Sequence, residues 1–358
     1  MKNNLEIGSL LTAIQKVSKD TLVFDEQAIQ KEYQDKEYNQ SSIAIKILTI
    51  VGSIVATLAF LGFLLIGGLH NSKIGLLTLG TLLIIGAIVL NNKSDKLILD
   101  TFSISAYALG FSLLMFGFDK THTDDNLIAL IFMLIALVTL YFSQNYMLSF
   151  LSVLVINLSL VSIIIFLNRT YQLAPIYAVF ISLFLSGLYL FEAKIIHFYK
   201  KMTKLYRPVL MGTVVSYLVT LGYYATRKIH GFPIEKSWLL STVLFILLLF
   251  VISKIVNILS IHKQKQQIIA YLVIVPLLVI TAFSPAILGA LLLILLSFYV
   301  NHRIGLVLGI VALLYFIGQY YYDLEFTLLQ KAMLLFSSGI LFLILYLFTT
   351  KSFKNEKV

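Results

Sequence analysis

The sequence contains no cysteine, few charged residues and only 5 prolines among its 358 residues. The absence of cysteine excludes disulfides, thiolate nucleophiles and every metal or iron–sulfur site with cysteine ligands. Charged residues make up 12% of the chain, whereas they make up about a quarter of a soluble globular domain. The composition therefore excludes cysteine chemistry and is not that of a soluble globular domain.

The sequence also lacks the motifs of common catalytic sites. None of its histidines forms a His-Glu-x-x-His arrangement, and it has neither a Gly-x-Ser-x-Gly elbow nor a phosphate-binding loop. Intramembrane aspartate chemistry needs two buried aspartates, and Asp100 is the only aspartate inside a predicted span. We therefore expect no enzymatic activity, no cofactor and no bound metal.

Apolar runs, each long enough to cross a membrane as a helix, follow one another from residue 43 to residue 348. A hydrocarbon core roughly 30 Å thick needs about 20 apolar helical residues, whereas barrel strands would alternate over about ten residues. We predict an all-α polytopic transmembrane helical bundle of about 12 spans. The predicted spans are 43–69, 74–91, 97–117, 126–142, 146–167, 173–191, 207–225, 237–257, 267–283, 284–300, 303–321 and 327–349. The ninth and tenth meet at Ser284 and Pro285 and are either separate spans or a re-entrant pair.

Three regions follow from this pattern. Residues 1–42 hold seven of the 17 acidic residues and apolar positions at helical spacing. They predict a cytoplasmic amphipathic helical hairpin, which either lies on the membrane surface or docks a partner. Residues 43–350 form the predicted transmembrane domain, and residues 351–358 a cytoplasmic tail.

The positive residues predict the orientation. With an even number of spans, 20 of the 27 lysines and arginines fall on the side of the two termini and six on the other side. Because positive residues are retained in the cytoplasm, both termini should be cytoplasmic. This also accounts for the net charge of +10 without a nucleic-acid partner. The most basic loop ends at Arg207, and Pro208 suits the first turn of the seventh span.

Charged residues near span ends are candidate functional positions, because they are costly in a bilayer. Lys46, Asp100, Glu192 and Lys254 all lie near the predicted cytoplasmic face. Asp100 can pair with Lys46, with Lys254 or with Lys96 one turn before it. These positions indicate either structural ion pairs or a proton or ion pathway.

A second charged group lies on the predicted outer side. Lys331 is about one turn into the last span, and Asp323 and Glu325 precede it in a tyrosine-rich segment. We expect an ion pair that fixes the loop; the alternative is a ligand site on this side.

Uncharged polar and small residues inside the spans form a further set. Asn157 lies near the centre of the fifth span, where an asparagine more often bonds a neighbouring helix, for roughly 1 kcal/mol, than it binds a substrate. Gly305 and Gly309 form a GxxxG motif, and with Gly80 and Gly86 they predict close helix contacts.

The C-terminal part of the chain carries a pattern of polar and small residues at fixed spacing. Its members are Asn301, Arg303, Gly305, Gly309, Tyr321, Tyr322, Leu324, Thr327, Leu328, Leu329, Lys331, Ser338 and Gly339. The pattern resembles a family of bacterial multi-spanning membrane proteins known only as a domain of unknown function. Proteins of that family are often encoded beside a smaller protein with a Gly-Asp-Tyr-x-x-Leu-x-Tyr (GDYXXLXY) motif. The resemblance implies a bacterial cytoplasmic (inner) membrane and a membrane-associated partner protein; it implies no reaction. Met333 departs from the small polar residue expected near Lys331.

Two classes of function follow. The first is a non-enzymatic inner-membrane component that acts with a membrane-associated partner protein. The second is a secondary transporter or flippase of a small or lipid-like substrate. The resemblance and the lack of a deep polar pathway favour the first class, and the structural observation that would best decide is whether a water-filled cavity reaches Asn157 or Asp100.

Overall fold

A computed structural model describes residues 43–93, 97–143, 145–168, 174–198, 202–226, 237–258 and 271–323, the last range without 273, 277 and 280, together with scattered residues from 329 to 343. The predicted hairpin at 1–42, the tail at 351–358 and most of the predicted span at 327–349 lie outside the described residues. Their predicted structures stay predictions.

Across the described ranges the chain is all-α, as predicted, with eleven α-helices, one 3₁₀ turn at Leu69–Asn71 and no strand. The α-helices are α1 (Ile43–Ile66), α2 (Lys73–Lys93), α3 (Leu97–Asp119), α4 (Asp125–Phe142), α5 (Tyr146–Asn168), α6 (Ala174–Leu190), α7 (Glu192–Phe198), α8 (Met202–Ala225), α9 (Ser237–Ile258), α10 (Pro285–Tyr299) and α11 (Arg303–Asp323). They form because continuous apolar runs with few prolines satisfy every backbone group within the segment.

Seven of these helices are long and apolar enough to cross a membrane, and α6 and α10 are shorter apolar helices. The chain is therefore that of a multi-pass membrane protein. Ten of the twelve predicted spans coincide with described helices; the total of about twelve stays a prediction.

The structure agrees with the predicted start of one helix and differs from the predicted start of another. The helix α10 begins at Pro285, at the predicted division between the ninth and tenth spans, and Ser284 is its N-cap residue. The helix α8 begins at Met202, so Pro208 lies inside it and its predicted place in the first turn is wrong. The basic residues before Pro208 continue the helix, since long cationic side chains can extend away from apolar surface into water.

In the N-terminal half, α2 packs along α3, and α1 and α5 contact α3 as well. The backbones of α2 and α3 approach closely at Gly80 and Gly110, where an added Cβ on Gly110 would lie 2.9 Å from the Gly80 carbonyl oxygen. The close contact predicted for Gly80 is therefore present. No atom of the described residues lies within 4 Å of a Cβ built on Gly86, so the close contact predicted for it is not found in this part of the chain.

The largest buried cluster joins α6, α8, α9, α10 and α11. Tyr217 on α8 is fully buried, and its hydroxyl donates to the Gly289 carbonyl oxygen of α10 at 3.0 Å. Gly309 on α11 is packed against Ile294 of α10, so the predicted GxxxG contact is present. This core fixes the helices that carry both polar sites described below.

Candidate functional site

A cavity of about 380 Å³ lies between α5, α6 and α8. Its size falls in the range of ligand sites, about 300–1,000 Å³. None of the described residues that line it is charged. The lining residues are Leu154, Asn157, Leu158, Val161, Ile164, Ala174, Tyr177, Val215, Ser216, Val219, Thr220, Tyr223 and Tyr224.

The cavity follows one face of α5. Its lining positions on α5 recur every three or four residues from Leu154 to Ile164, which is the spacing of one helix face. Ten residues of helix rise about 15 Å, half of a hydrocarbon core roughly 30 Å thick. Leu158 and Val219 are each 66% exposed, so the cavity wall reaches the apolar surface of the described helices.

Asn157 joins two helices at the wall of the cavity. Its Nδ2 donates to the Val153 carbonyl oxygen of α5 at 2.9 Å, and the Tyr177 hydroxyl of α6 donates to its Oδ1 at 3.1 Å. The interhelical hydrogen bond expected for Asn157 is present. Its partner was missed, because nothing in the sequence distinguishes Tyr177 from the other tyrosines, of which there are 20 in all.

The α8 wall contains four residues with hydroxyl groups, Ser216, Thr220, Tyr223 and Tyr224, and the surroundings of Thr220 and Tyr224 differ. Thr220 Oγ1 donates to the Ser216 carbonyl oxygen at 2.8 Å. Tyr224 is 4% exposed, and its hydroxyl oxygen is buried without a hydrogen-bond partner among the described residues. Leaving a buried polar group unpaired costs about 1–3 kcal/mol. The Tyr224 hydroxyl is therefore enclosed in the helix packing and is not open to the cavity.

A second polar cluster lies at the other end of α6, where α10 turns into α11. Ser297 Oγ donates to the Tyr189 hydroxyl oxygen at 3.2 Å, and this hydroxyl lies 3.2 Å from His302 Nδ1. The backbone N–H of Gly305 also donates to Nδ1, at 3.1 Å. His302 thus caps α11 through an unprotonated Nδ1, which assigns its ring proton to Nε2.

The turn between α10 and α11 explains part of the C-terminal sequence pattern. Asn301 has φ 59°, a left-handed conformation that asparagine tolerates better than most residues. The backbone N–H of His302 donates to the Ser297 carbonyl oxygen at 2.8 Å. A Cβ on Gly305 would overlap the Tyr189 and Ser297 hydroxyls. Arg303 is the first residue of α11, and its side chain is exposed.

Charged groups surround this second cluster. Burial lowers the pKa of the His302 imidazole, and the charge of Arg207 on α8 lowers it further. Burial raises the pKa of the Glu192 carboxyl, the first residue of α7, against the opposing effect of Arg207. The charge of Arg207 therefore acts on both the predicted candidate Glu192 and on His302.

The other candidates with described side chains lie apart from the cavity. Asp100 is half-buried in the first turn of α3, where the helix dipole favours a carboxylate. Lys254 is exposed, with Nζ 5.6 Å from the centre of the Phe250 ring. Asp323 ends α11 and accepts a hydrogen bond from Gln319 Nε2 at 3.2 Å. Among the described candidates, Asn157 alone lines the cavity.

The structure does not describe the side-chain partners of three candidate residues. The side chain of Lys46 on α1, and both Glu325 and Lys331, lie outside the described residues. The ion pairs expected for Lys46 and Lys331 stay predictions. No group of three or more His, Asp or Glu side chains able to hold a metal occurs in the part of the chain that the structure describes.

Comparison with known proteins places the chain in a family without giving it a reaction. The family model for "Domain of unknown function (DUF4401)" matches residues 43–352. No curated protein and no solved structure matches the chain. The matched range covers all the described helices and includes the Asn301–Arg303 turn that carried the resemblance. The chain therefore belongs to the DUF4401 family, a family of unknown function, as its C-terminal pattern predicted.

Proposed function

We propose that this protein binds a small lipid-like molecule in the cavity between α5, α6 and α8 and moves it within the membrane, as a transporter or flippase. The observation that carries the proposal is the cavity itself, which reaches Asn157 and has no charged residue in the part of its lining that the structure describes. An uncharged wall disfavours ions, because an unpaired charge is costly to bury. Binding and movement of this kind need no catalytic step.

The predicted orientation assigns the cavity to one leaflet. With both termini in the cytoplasm of a bacterial inner membrane, the end of α5, the start of α6 and the end of α8 lie on the outer side. The cavity extends over about 15 Å of α5 from the middle of the helix towards that side. It would then be filled from the outer leaflet.

The alternative role is that of a non-enzymatic component acting with a membrane-associated partner, such as a GDYXXLXY-motif protein. It rests on the sequence resemblance. The two roles make different demands on the cavity, because a protein partner bound at the outer surface of the helices needs no space beside Asn157.

Filling the cavity tests the proposal. Ser216→Phe places an aromatic ring at the α8 wall, and we expect at least a tenfold slower movement of a fluorescent phosphatidylcholine across proteoliposomes. The matched control is Ser112→Phe on α3, where Ser112 is exposed and far in sequence from the cavity wall; it should move the probe at the wild-type rate.

Unchanged movement by Ser216→Phe would remove the support for the lipid-binding role. If a partner protein also co-purified stably with the wild type and with Ser216→Phe in mild detergent, the partner-binding role would be favoured instead.

A further inference from the structure

We propose that a cationic patch formed by Lys204, Arg207 and Arg303 binds the phosphate headgroup of an anionic membrane lipid, whose acyl chain lies along α11. The patch is found where α6 ends and where α8 and α11 begin. None of its three residues lines the cavity. This lipid site therefore goes beyond the proposed function and does not depend on it.

Hydrogen bonds to the last turn of α6 bring the starts of α8 and α11 together. The Tyr206 hydroxyl of α8 donates to the Leu188 carbonyl oxygen of α6 at 3.1 Å. The Tyr189 hydroxyl lies 3.2 Å from Nδ1 of His302, the residue just before α11 begins. Arg207 follows Tyr206 in the chain, and its charge acts on His302. The cations at the start of α8 and of α11 therefore lie at the same end of the bundle, near the same turn.

The three cations of the patch are exposed, and none forms an ion pair with another of the described residues. Lys204 and Arg207 are three positions apart on α8, which places them on one face of the helix. Glu192 supplies at most one negative charge nearby, where the charge of Arg207 acts on its carboxyl. The patch therefore keeps a positive charge that a phosphate group can balance.

The two ends of the bundle differ in charge. Because successive spans run in opposite directions, the start of α2 and the end of α11 lie at the end opposite the patch. Among the described residues, the charged groups at that opposite end are Lys73, Lys120, Asp119, Asp124, Asp125 and Asp323. Aspartates outnumber lysines there, so that end repels an anionic headgroup, whereas the patch attracts one. The charge distribution therefore selects an anionic lipid, and the predicted orientation assigns it to the cytoplasmic leaflet.

The depth of the patch and the surface beside it favour a lipid over a soluble anion. The candidate spans begin at Thr203 on α8 and at Arg303 on α11, so the cations lie where the hydrocarbon core meets the headgroups, and their long side chains can reach the phosphates. Val307, Val311 and Leu314 follow Arg303 on one face of α11 and are exposed. An acyl chain can pack along this apolar face, which a free phosphate cannot use.

The test compares two lipids with the same acyl chains and different headgroups. The full-length protein in mild detergent is titrated with dioleoyl-phosphatidylglycerol and with dioleoyl-phosphatidylcholine, and bound lipid is measured by native mass spectrometry. We expect the wild type to bind the anionic lipid about tenfold more tightly or better, since more than one cation contributes. Inorganic phosphate should displace this lipid no better than chloride does at the same ionic strength.

Arg207→Gln and Arg303→Gln should each weaken phosphatidylglycerol binding about fivefold and leave phosphatidylcholine binding unchanged. Arg303 is exposed and forms no ion pair with the described residues, so Arg303→Gln should keep the wild-type thermal midpoint without lipid. Lys73→Gln is the matched control. Lys73 is likewise the exposed first residue of a spanning helix, but it lies at the opposite end, so the lipid preference should persist.

Equal wild-type binding of the two lipids overturns the inference, and so does a preference that survives in the double variant Arg207→Gln with Arg303→Gln. Displacement by phosphate beyond the effect of chloride would show a small-anion site instead of a lipid site. An equal loss of preference in Lys73→Gln would show an effect of total charge, which also overturns it. None of these outcomes alters the test of the cavity with Ser216→Phe, because the patch and the cavity share no residue.

Discussion

The two ends of α6 carry the same residue type in opposite surroundings. Near the start of the helix, Tyr177 bonds Asn157 beside a cavity of about 380 Å³. Near its end, Tyr189 lies in a closed network with Ser297 and His302, and Gly305 packs directly against it. We refer to these as the open end and the closed end of α6.

The difference follows from how the neighbouring helices approach. At the closed end, α10 and α11 pack along their length and are joined by a tight turn, with glycines of α11 facing α10. At the open end, α5 and α6 contact each other at few positions, and a side-chain hydrogen bond bridges them instead. A glycine contact leaves no space between helices, whereas a contact through long side chains does. The open end is therefore the part of the bundle suited to a ligand.

We expect the largest effect on stability from overpacking the closed end of α6. In Gly305→Ala the new methyl group would meet the Tyr189 hydroxyl, Ser297 Oγ and His302 Nδ1. We expect a loss of about 1–3 kcal/mol in the free energy of unfolding, seen as a lower thermal midpoint of the purified protein in detergent.

The same helix supplies the control for that change. Among the described residues, no atom lies within 4 Å of a Cβ built on Gly318, so Gly318→Ala should leave the thermal midpoint unchanged or raise it, since alanine favours helix over glycine. Equal effects of the two alanine substitutions would contradict the close packing of the closed end.

At the open end, Asn157→Leu tests the hydrogen bond between α5 and α6. The variant removes the interhelical hydrogen bond and leaves the Tyr177 hydroxyl without its acceptor, so the free energy of unfolding should fall by about 1–2 kcal/mol. The double variant Asn157→Leu with Tyr177→Phe removes both polar groups. It should be more stable than Asn157→Leu, in a double-mutant cycle followed by thermal unfolding. A double variant less stable than Asn157→Leu would show that the bond does not join α5 to α6.

Sequence reasoning predicted the helices better than the sites between them. Long apolar runs specify helix type and approximate ends, which is why ten predicted spans coincide with helices. The hydrogen bond of Asn157 was also predictable, because a polar group in hydrocarbon needs a partner. The identity of Tyr177, the cavity and the His302 cap were not, since they depend on which helix faces meet and how closely. Gly86, whose spacing resembled that of Gly80, shows that small residues alone do not identify a contact.

The smallest expected effect concerns pH at the closed end. Protonation of His302 Nδ1 would remove the acceptor of the Gly305 N–H, and burial and Arg207 both lower the pKa of the imidazole. A histidine with a lowered folded-state pKa contributes stability that is complete above its ordinary pKa of about 6.5 and is lost as the pH falls below it. The thermal midpoint should therefore fall between pH 7 and pH 5, by less than in Gly305→Ala.

The neighbouring charges make a control variant necessary. Glu192 has a raised pKa because of its burial, so its protonation at low pH relieves that burial and acts in the opposite direction. His302→Asn keeps an N-cap acceptor that does not titrate, and subtracting its pH dependence from that of the wild type isolates the histidine. If the two pH profiles coincide, His302 does not cap α11 through Nδ1, and the closed end is held by its glycine contacts and the Tyr189–Ser297 hydrogen bond alone.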